Sequence, residues 1–133
     1  MPDECPEISA SFVVGGDDFD TAVLSQLIGL HPTRVWHQKI QYLRERSDIS
    51  NCEWEYKLDK LECWAIDDAV QKVLDAFWEK KNDLNDFIAS KKLKLTIALY
   101  VYNEEFNPEY VISLDTMKRL VECKAEFCMQ LDE

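Results

Sequence analysis

The chain has 133 residues, of which 47% are hydrophobic and 11% aromatic, with only three Gly and four Pro. This length and composition exclude disordered, collagen-like and low-complexity proteins, and they fit a single domain over residues 1–133. The formal net charge of −11 argues against nucleic acid as a ligand, because phosphate binding needs clustered Lys and Arg, and it favours a basic protein or peptide partner.

The first predicted unit is a strand, an acidic loop and a helix. Residues 8–14 alternate apolar and polar side chains, which is the period of a half-buried strand. A Gly-Gly pair is expected to end this strand, and Asp17 or Asp18 to cap the helix that follows. Apolar residues recur in that helix at three- and four-residue spacing, and Gly29 is expected to end it.

Two strands are expected next, over residues 33–40 and 52–59, with a polar stretch between them. The second of these alternates strictly, so that one face is apolar and the other is charged. It is the clearest strand pattern in the chain.

A long helix is predicted over residues 67–91, where a single apolar stripe runs along the segment. Asp68 and Gln71 form a capping-box-like start for this helix. Residues 93–102 are mostly apolar, which is typical of a central strand that helices cover.

The last part of the chain predicts a further helix and strand. Residues 110–112 favour a short strand, and Ser113 or Asp115 is expected to cap the helix after it. Residues 125–131 alternate apolar side chains and predict the closing strand.

The predicted order of elements is therefore β-α-β-β-α-β, followed by an optional strand, a helix and a strand. This order favours an α+β fold with helices packed on one face of a mainly antiparallel sheet, ferredoxin-like or related.

The cysteines and the start of the chain bear on its location. Five cysteines show neither a Cys-x-x-Cys pair nor a metal-knuckle spacing, so they predict reduced thiols in a cytoplasmic protein. Residues 1–7 lack the basic start and apolar run of a signal peptide, and no segment approaches the roughly 18 apolar residues of a membrane span. We expect neither export nor membrane insertion.

No pattern predicts an enzyme. Residues 15–19 superficially resemble the Gly-Gly-Asp-Glu-Phe signature of cyclic-dinucleotide cyclases, but that motif lies on a hairpin deep within a larger domain, whereas this one opens a helix. His31 and His37 stand in no nucleophile motif. The glycines lead into acids that would repel phosphate. We therefore expect no catalytic residue, no cofactor and no metal.

Several short matches fall in and around the first predicted strand and helix: Ser11-Phe12, Gly16-Asp17-Asp18-Phe19-Asp20, Leu24-Ser25, Leu27, Gly29-Leu30 and Pro32-Thr33. Together they resemble the opening signature of a bacterial family known as domain of unknown function 4279. Trp54 and the later helices and strand fall where that family has them. The family has no established activity, but its members are similar in kind to proteins of toxin and immunity loci, which implies a toxin-neutralising role.

The candidate partner-binding residues are acidic or aromatic. Tyr100 and Tyr102 alternate with Leu99 and Val101, so the tyrosines either face a groove or pack beneath a helix. The aspartates after the first strand, with two later glutamates, are interpreted as a contact surface, a hard-cation site without EF-hand spacing, or a solvated loop. The full set is Asp17, Asp18, Asp20, Glu104, Glu105, Tyr100 and Tyr102.

The predicted function is a non-enzymatic acidic protein-binding module, namely an immunity protein that neutralises a basic bacterial toxin. The alternative is a small-ligand or peptide sensor with a pocket beside the sheet. The sequence leaves open the identity of the partner, the oligomeric state, and whether the acidic loops share one surface.

Overall fold

The computed structural model describes residues 5–37, 52–102 and 107–132. The helices and strands in these ranges follow in the order β1 (Glu7–Gly16), α1 (Thr21–Ile28), β2 (Arg34–His37), β3 (Cys52–Glu62), α2 (Ile66–Phe77), a 3-10 helix (Trp78–Lys80), α3 (Lys81–Lys91), β4 (Lys94–Val101), α4 (Leu114–Glu122) and β5 (Ala125–Leu131). The predicted α+β class is confirmed.

The strands form one five-stranded sheet in the order β2-β3-β1-β4-β5. β1 lies at the centre and pairs antiparallel with both β3 and β4, and β2 pairs antiparallel with β3. β5 runs parallel to β4. The sheet is thus mainly antiparallel, as predicted, with one parallel pair; the ferredoxin-like assignment stays a prediction.

The hydrophobic core lies between one face of the sheet and the helices. Every second residue of β1 is buried on this face, and Phe12 is fully buried with its ring centroid 5.4 Å from that of Trp54 and 4.6 Å from that of Phe77. Trp54 is also fully buried, and its Nε1 donates a hydrogen bond to Ser25 Oγ at 2.9 Å. Through these contacts the core connects β1, β3, α1 and α2.

The start of α1 differs from the prediction. β1 continues through the Gly-Gly pair, and the cap is Asp20 rather than Asp17 or Asp18, because the Asp20 side chain accepts hydrogen bonds from two backbone N–H groups of the first turn at 3.0 and 3.2 Å. A Cβ on Gly16 would overlap a terminal methyl group of Leu93, so a larger residue here would require the Leu93 side chain to move. Gly29 ends α1 in the left-handed conformation, as expected.

The predicted long helix is interrupted. α2 ends at Phe77, and the backbone leaves helical geometry there and again at Lys80, on either side of the 3-10 turn. The break lets α2 pack on the sheet while α3 turns toward α1, where the Phe19 and Phe87 rings lie 6.3 Å apart. The apolar stripe along this segment therefore serves two different packing partners.

The start of α2 also differs from the capping box. The residue before it, Ala65, offers no side-chain cap, and Asp68 is exposed. Its neighbour Asp67 accepts hydrogen bonds from Gln71 Nε2 at 2.8 Å and from the Ser113 backbone N–H at 2.9 Å. This carboxylate thus links α2 to the start of α4.

The segment before α4 is not the short strand predicted for residues 110–112. Instead Glu109 forms an isolated parallel bridge with Ala65. Ser113 caps α4, as one of the two predicted options, by accepting a hydrogen bond from the Thr116 backbone N–H at 3.1 Å. Residues 38–40 of the second predicted strand lie outside the described residues. None of the helices in the described ranges is long and apolar enough to cross a membrane.

Candidate functional site

The face of the sheet opposite the helices carries polar and charged side chains, and we call it the open face. Register fixes its membership, because residues paired across strands share a face: Ser11 lies opposite Lys57 on β3 and Ala98 on β4, and Ala98 lies opposite Cys128 on β5. In the part of the chain that the structure describes, no helix packs on this side. Its main residues are Ser9, Ser11, Glu53, Glu55, Lys57, Asp59, Ala98, Tyr100, Glu126, Cys128 and Gln130.

A shallow cavity of about 460 Å³ lies on the open face. Small side chains form its floor, since Ser9, Ser11 and Ala98 line it and the two serines are only 2% and 5% exposed. Longer side chains rise around them, among them Lys57 and Tyr100. A groove with a small-residue floor and polar walls can accommodate an extended segment or a small polar ligand.

A hydrogen-bonded cluster of Ser9, Asp59 and Tyr102 lies at one end of this groove. Asp59 Oδ1 accepts hydrogen bonds from Ser9 Oγ and from the Tyr102 hydroxyl, the latter at 3.0 Å. These bonds, with Ser9 as the larger contributor, lower the pKa of Asp59. The pairing of β1 with β3 is irregular here and Lys60 has a positive φ of 53°. The carboxylate is therefore a fixed negative charge on the open face.

The two tyrosines singled out by the sequence lie together at that end. The ring centroids of Tyr100 and Tyr102 are 4.9 Å apart in an edge-on arrangement, while Leu99 and Val101 are buried on the opposite face. A hydrogen bond with Asp132, together with a smaller desolvation effect, raises the pKa of the Tyr100 phenol. Both tyrosines thus lie on the open face rather than beneath a helix.

The three predicted aspartates lie at the other end of the sheet. Val101 pairs with Ile8 and Lys94 with Gly15, so the two ends of the β1–β4 pair are about 24 Å apart at the usual rise per residue. The structure therefore does not bring the tyrosines and the aspartates together.

The aspartates differ in what their side chains contact. Asp20 is engaged in capping α1, whereas Asp17 is exposed and Asp18 lies 3.6 Å from the imidazole of His37. The other two predicted acidic residues, Glu104 and Glu105, lie outside the described residues.

The charged side chains on the open face were not predicted as site residues. Four carboxylates, from Glu53, Glu55, Asp59 and Glu126, share the face with three cationic side chains, Arg34, Lys57 and Lys94. Two of the carboxylates form ion pairs: Arg34 Nε lies 3.2 Å from Glu55 Oε1, and Lys94 Nζ lies 3.7 Å from Glu126 Oε1. Strict alternation in residues 52–59 reveals the charged face, but only the sheet order shows that this face surrounds a groove.

The comparisons with known proteins identify a family and nothing narrower. A model of the family described as Domain of unknown function (DUF4279) matches residues 6–132. Searches of curated proteins and of solved structures find no significant match.

Proposed function

Because the chain belongs to the DUF4279 family, whose description assigns no activity, we propose a function from the open face: a non-enzymatic acidic module that binds a basic segment of a partner protein. The observation that carries this proposal is the groove, with its small-residue floor and, at one end, two adjacent tyrosines and the fixed carboxylate of Asp59. In its narrower form, the partner is a basic bacterial toxin and the chain is its immunity protein.

Charge supports a basic partner. The whole chain carries −11, and on the open face hydrogen bonds from Ser9 and Tyr102 hold the Asp59 carboxylate in its charged form. An acidic surface attracts a basic protein from a distance and raises its association rate, and this attraction weakens as salt screens it. The partner should thus bind faster at low ionic strength.

Chemistry at the tyrosine end supports an Arg or Lys anchor. A guanidinium that approached Asp59 would meet a carboxylate already oriented by Ser9 and Tyr102, so little ordering would remain to be done. The neighbouring rings of Tyr100 and Tyr102 offer aromatic surface to the cation and its stem. Lys60 Nζ already lies 6.0 Å from the centroid of the Tyr102 ring, so a partner's cation would have to displace it or bind beside it.

The test uses the full chain and a basic protein found by screening the products of the neighbouring genes. Association rates are measured at several salt concentrations for the wild type, for a Glu53→Gln/Asp59→Asn variant of the open face, and for a matched Asp68→Asn/Glu79→Gln variant, whose charges are exposed on the helices. We expect the open-face variant to bind about tenfold more slowly at low salt, and the helix variant to change far less.

A third variant, Asp17→Asn/Asp18→Asn/Asp20→Asn, tests the aspartates predicted from the sequence. Asn at position 20 can still cap α1, so the helix is retained. If this variant loses binding while the open-face variant does not, the interface lies at the aspartate end and the open face is the wrong surface. Equal small effects of all three variants would remove the electrostatic basis of the proposal.

A second candidate function is a small-ligand or short-peptide sensor, and the cavity on the open face favours it. Ala98→Phe would fill the floor of the groove without touching the core. A small molecule or dipeptide that raises the unfolding temperature of the wild type, but not that of Ala98→Phe, would favour this function over protein binding.

A further inference from the structure

Three side chains with different metal-binding atoms meet at the β2 side of the sheet. A carboxylate oxygen of Asp18, an imidazole nitrogen of His37 and the sulfur of Cys52 all lie within 4.8 Å of one another. His37 Nε2 and Asp18 Oδ1 are 3.6 Å apart. Carboxylate, imidazole and thiolate are the three side-chain types that bind zinc in proteins.

Strand register brings these residues together. Cys52, at the start of β3, pairs with His37 on β2 and with Gly16 on β1, so the ends of three neighbouring strands meet at one level. Directly paired residues of an antiparallel sheet point to the same face, which places His37 beside Cys52. Asp18 follows Gly16 by two residues, where β1 leaves the sheet. The cluster is thus built on the sheet rather than on a single loop.

The three donor residues differ in how deeply they are buried. Cys52 is 1% exposed, while the side chains of His37 and Asp18 are 46% and 74% exposed. Burial raises the pKa of the Cys52 thiol, which donates a weak hydrogen bond to the Phe19 carbonyl oxygen at 3.8 Å. A cation would therefore contact a buried sulfur on its inner side and solvent on its outer side.

The geometry points to a single ion. We propose that Asp18, His37 and Cys52 bind a zinc-class divalent cation, with water or an external ligand in the fourth position. In a tetrahedral zinc site the donor atoms lie about 3.3–3.7 Å from one another. The distance between the His37 nitrogen and the Asp18 oxygen already falls in this range. A small rotation of the Cys52 or Asp18 side chain would bring the sulfur to the same distance. When the ion binds, the Cys52 thiol releases its proton to solvent, and the resulting thiolate binds the ion.

The donor set discriminates among metals. Calcium and magnesium prefer oxygen ligands only, whereas a site with one sulfur, one nitrogen and one oxygen suits zinc and its spectroscopic substitute Co²⁺. This site goes beyond the proposed function and is independent of it, because its residues lie on the helix side of the β2–β3 pair and not on the open face. Failure of the metal site would leave the protein-binding proposal unchanged.

The chain supplies a matched control for each ligand. Binding of Zn²⁺ to the chelator-treated full chain is measured by calorimetry, and Co²⁺ absorption shows whether sulfur is bound. The variants are Asp18→Asn, His37→Gln and Cys52→Ser; the controls are Asp17→Asn, His31→Gln and Cys128→Ser, all at exposed positions outside the cluster.

We expect one Zn²⁺ per chain and a thiolate-to-cobalt absorption band that Cys128→Ser retains. Each ligand variant should weaken Zn²⁺ binding by about 100-fold or more, and the controls should leave it unchanged. Asp18→Asn and His37→Gln alter exposed side chains, so they decide the matter even if Cys52→Ser fails to fold. Binding that these two variants leave intact, or that Cys128→Ser abolishes, overturns the site.

Discussion

The two faces of the sheet are built from the same strands but carry different kinds of side chain. On β1, Phe12 is fully buried among aromatic rings beneath the helices, while the residues on either side of it, Ser11 and Val13, belong to the open face. Large interlocking side chains on the first face determine stability. Small and polar side chains on the second leave a shallow groove. The difference teaches that neighbouring residues of one strand can contribute very differently to stability, because they face opposite sides of the sheet.

The largest expected effect is a loss of stability caused by a substitution on the helix-covered face. Phe12→Ala should lower the free energy of unfolding by about 3–5 kcal/mol, because it leaves a cavity beside Trp54 and Phe77. Its control on the open face, Val13→Ala, should cost about 1 kcal/mol. Urea unfolding followed by tryptophan fluorescence measures both. Similar losses for the two variants would contradict the division between the faces.

A smaller effect concerns the link between α2 and α4 on the helix side. Asp67→Asn should destabilise the chain by about 1 kcal/mol at pH 7, since the charged acceptor for Ser113 and Gln71 is lost. Burial opposes ionisation of Asp67, but the hydrogen bonds it accepts outweigh that effect and lower its pKa. The exposed neighbour provides the control, Asp68→Asn, which should change little.

The pH dependence of the Asp67 effect has a definite sign. Because the pKa of Asp67 is lower in the folded chain than in the unfolded chain, its stabilising contribution is complete above the unfolded value of about 3.9. The contribution is lost as the pH falls through the folded value. The stability difference between wild type and Asp67→Asn should therefore shrink below about pH 4. A difference that grows on acidification would contradict this account.

The smallest expected effect on stability concerns the open face. Tyr102→Phe removes a hydrogen bond to Asp59 and should raise the pKa of that carboxyl group, with little change in the free energy of unfolding. Tyr100→Phe serves as the control, because the Tyr100 hydroxyl interacts with Asp132 instead. NMR titration of the Asp59 carboxyl carbon measures the shift. An unchanged pKa in Tyr102→Phe would mean that this hydroxyl does not orient the carboxylate.

Much of the fold could be predicted because it depends on local periods. The alternation in residues 8–14 and 52–59 gave two strands of the sheet, and the Gly29 and Ser113 ends of helices were expected from their chemistry. The prediction of one continuous helix over residues 67–91 was wrong, because the segment forms two helices joined by a 3-10 turn. A single apolar stripe does not reveal that its two halves pack against different partners.

The α1 cap shows why local reasoning failed at one boundary. The sequence offers three aspartates in four positions, and each is a good N-cap. Pairing of Gly15 with Lys94 and of Gly16 with Cys52 holds the glycines in the sheet, so the chain reaches helical geometry only after Asp20. Long-range pairing thus selected the cap.

The candidate sites depended still more on long-range pairing. Ser9 meets Asp59 fifty residues away and Tyr102 ninety-three residues away. Asp18, His37 and Cys52 come from three different strands or their ends. No spacing along the chain marks either cluster, because residues so far apart become neighbours only through strand order and register.

The sequence by itself determined the α+β class, the alternation of the strands and the acidic character of the chain, since these follow from local composition and period. Tertiary structure alone decided that the charged side of β3 borders a groove and that a thiol, an imidazole and a carboxylate meet beside β2. The physical reason is that a strand's period fixes which residues share its face, whereas neighbours across strands are set by the packing of the whole sheet.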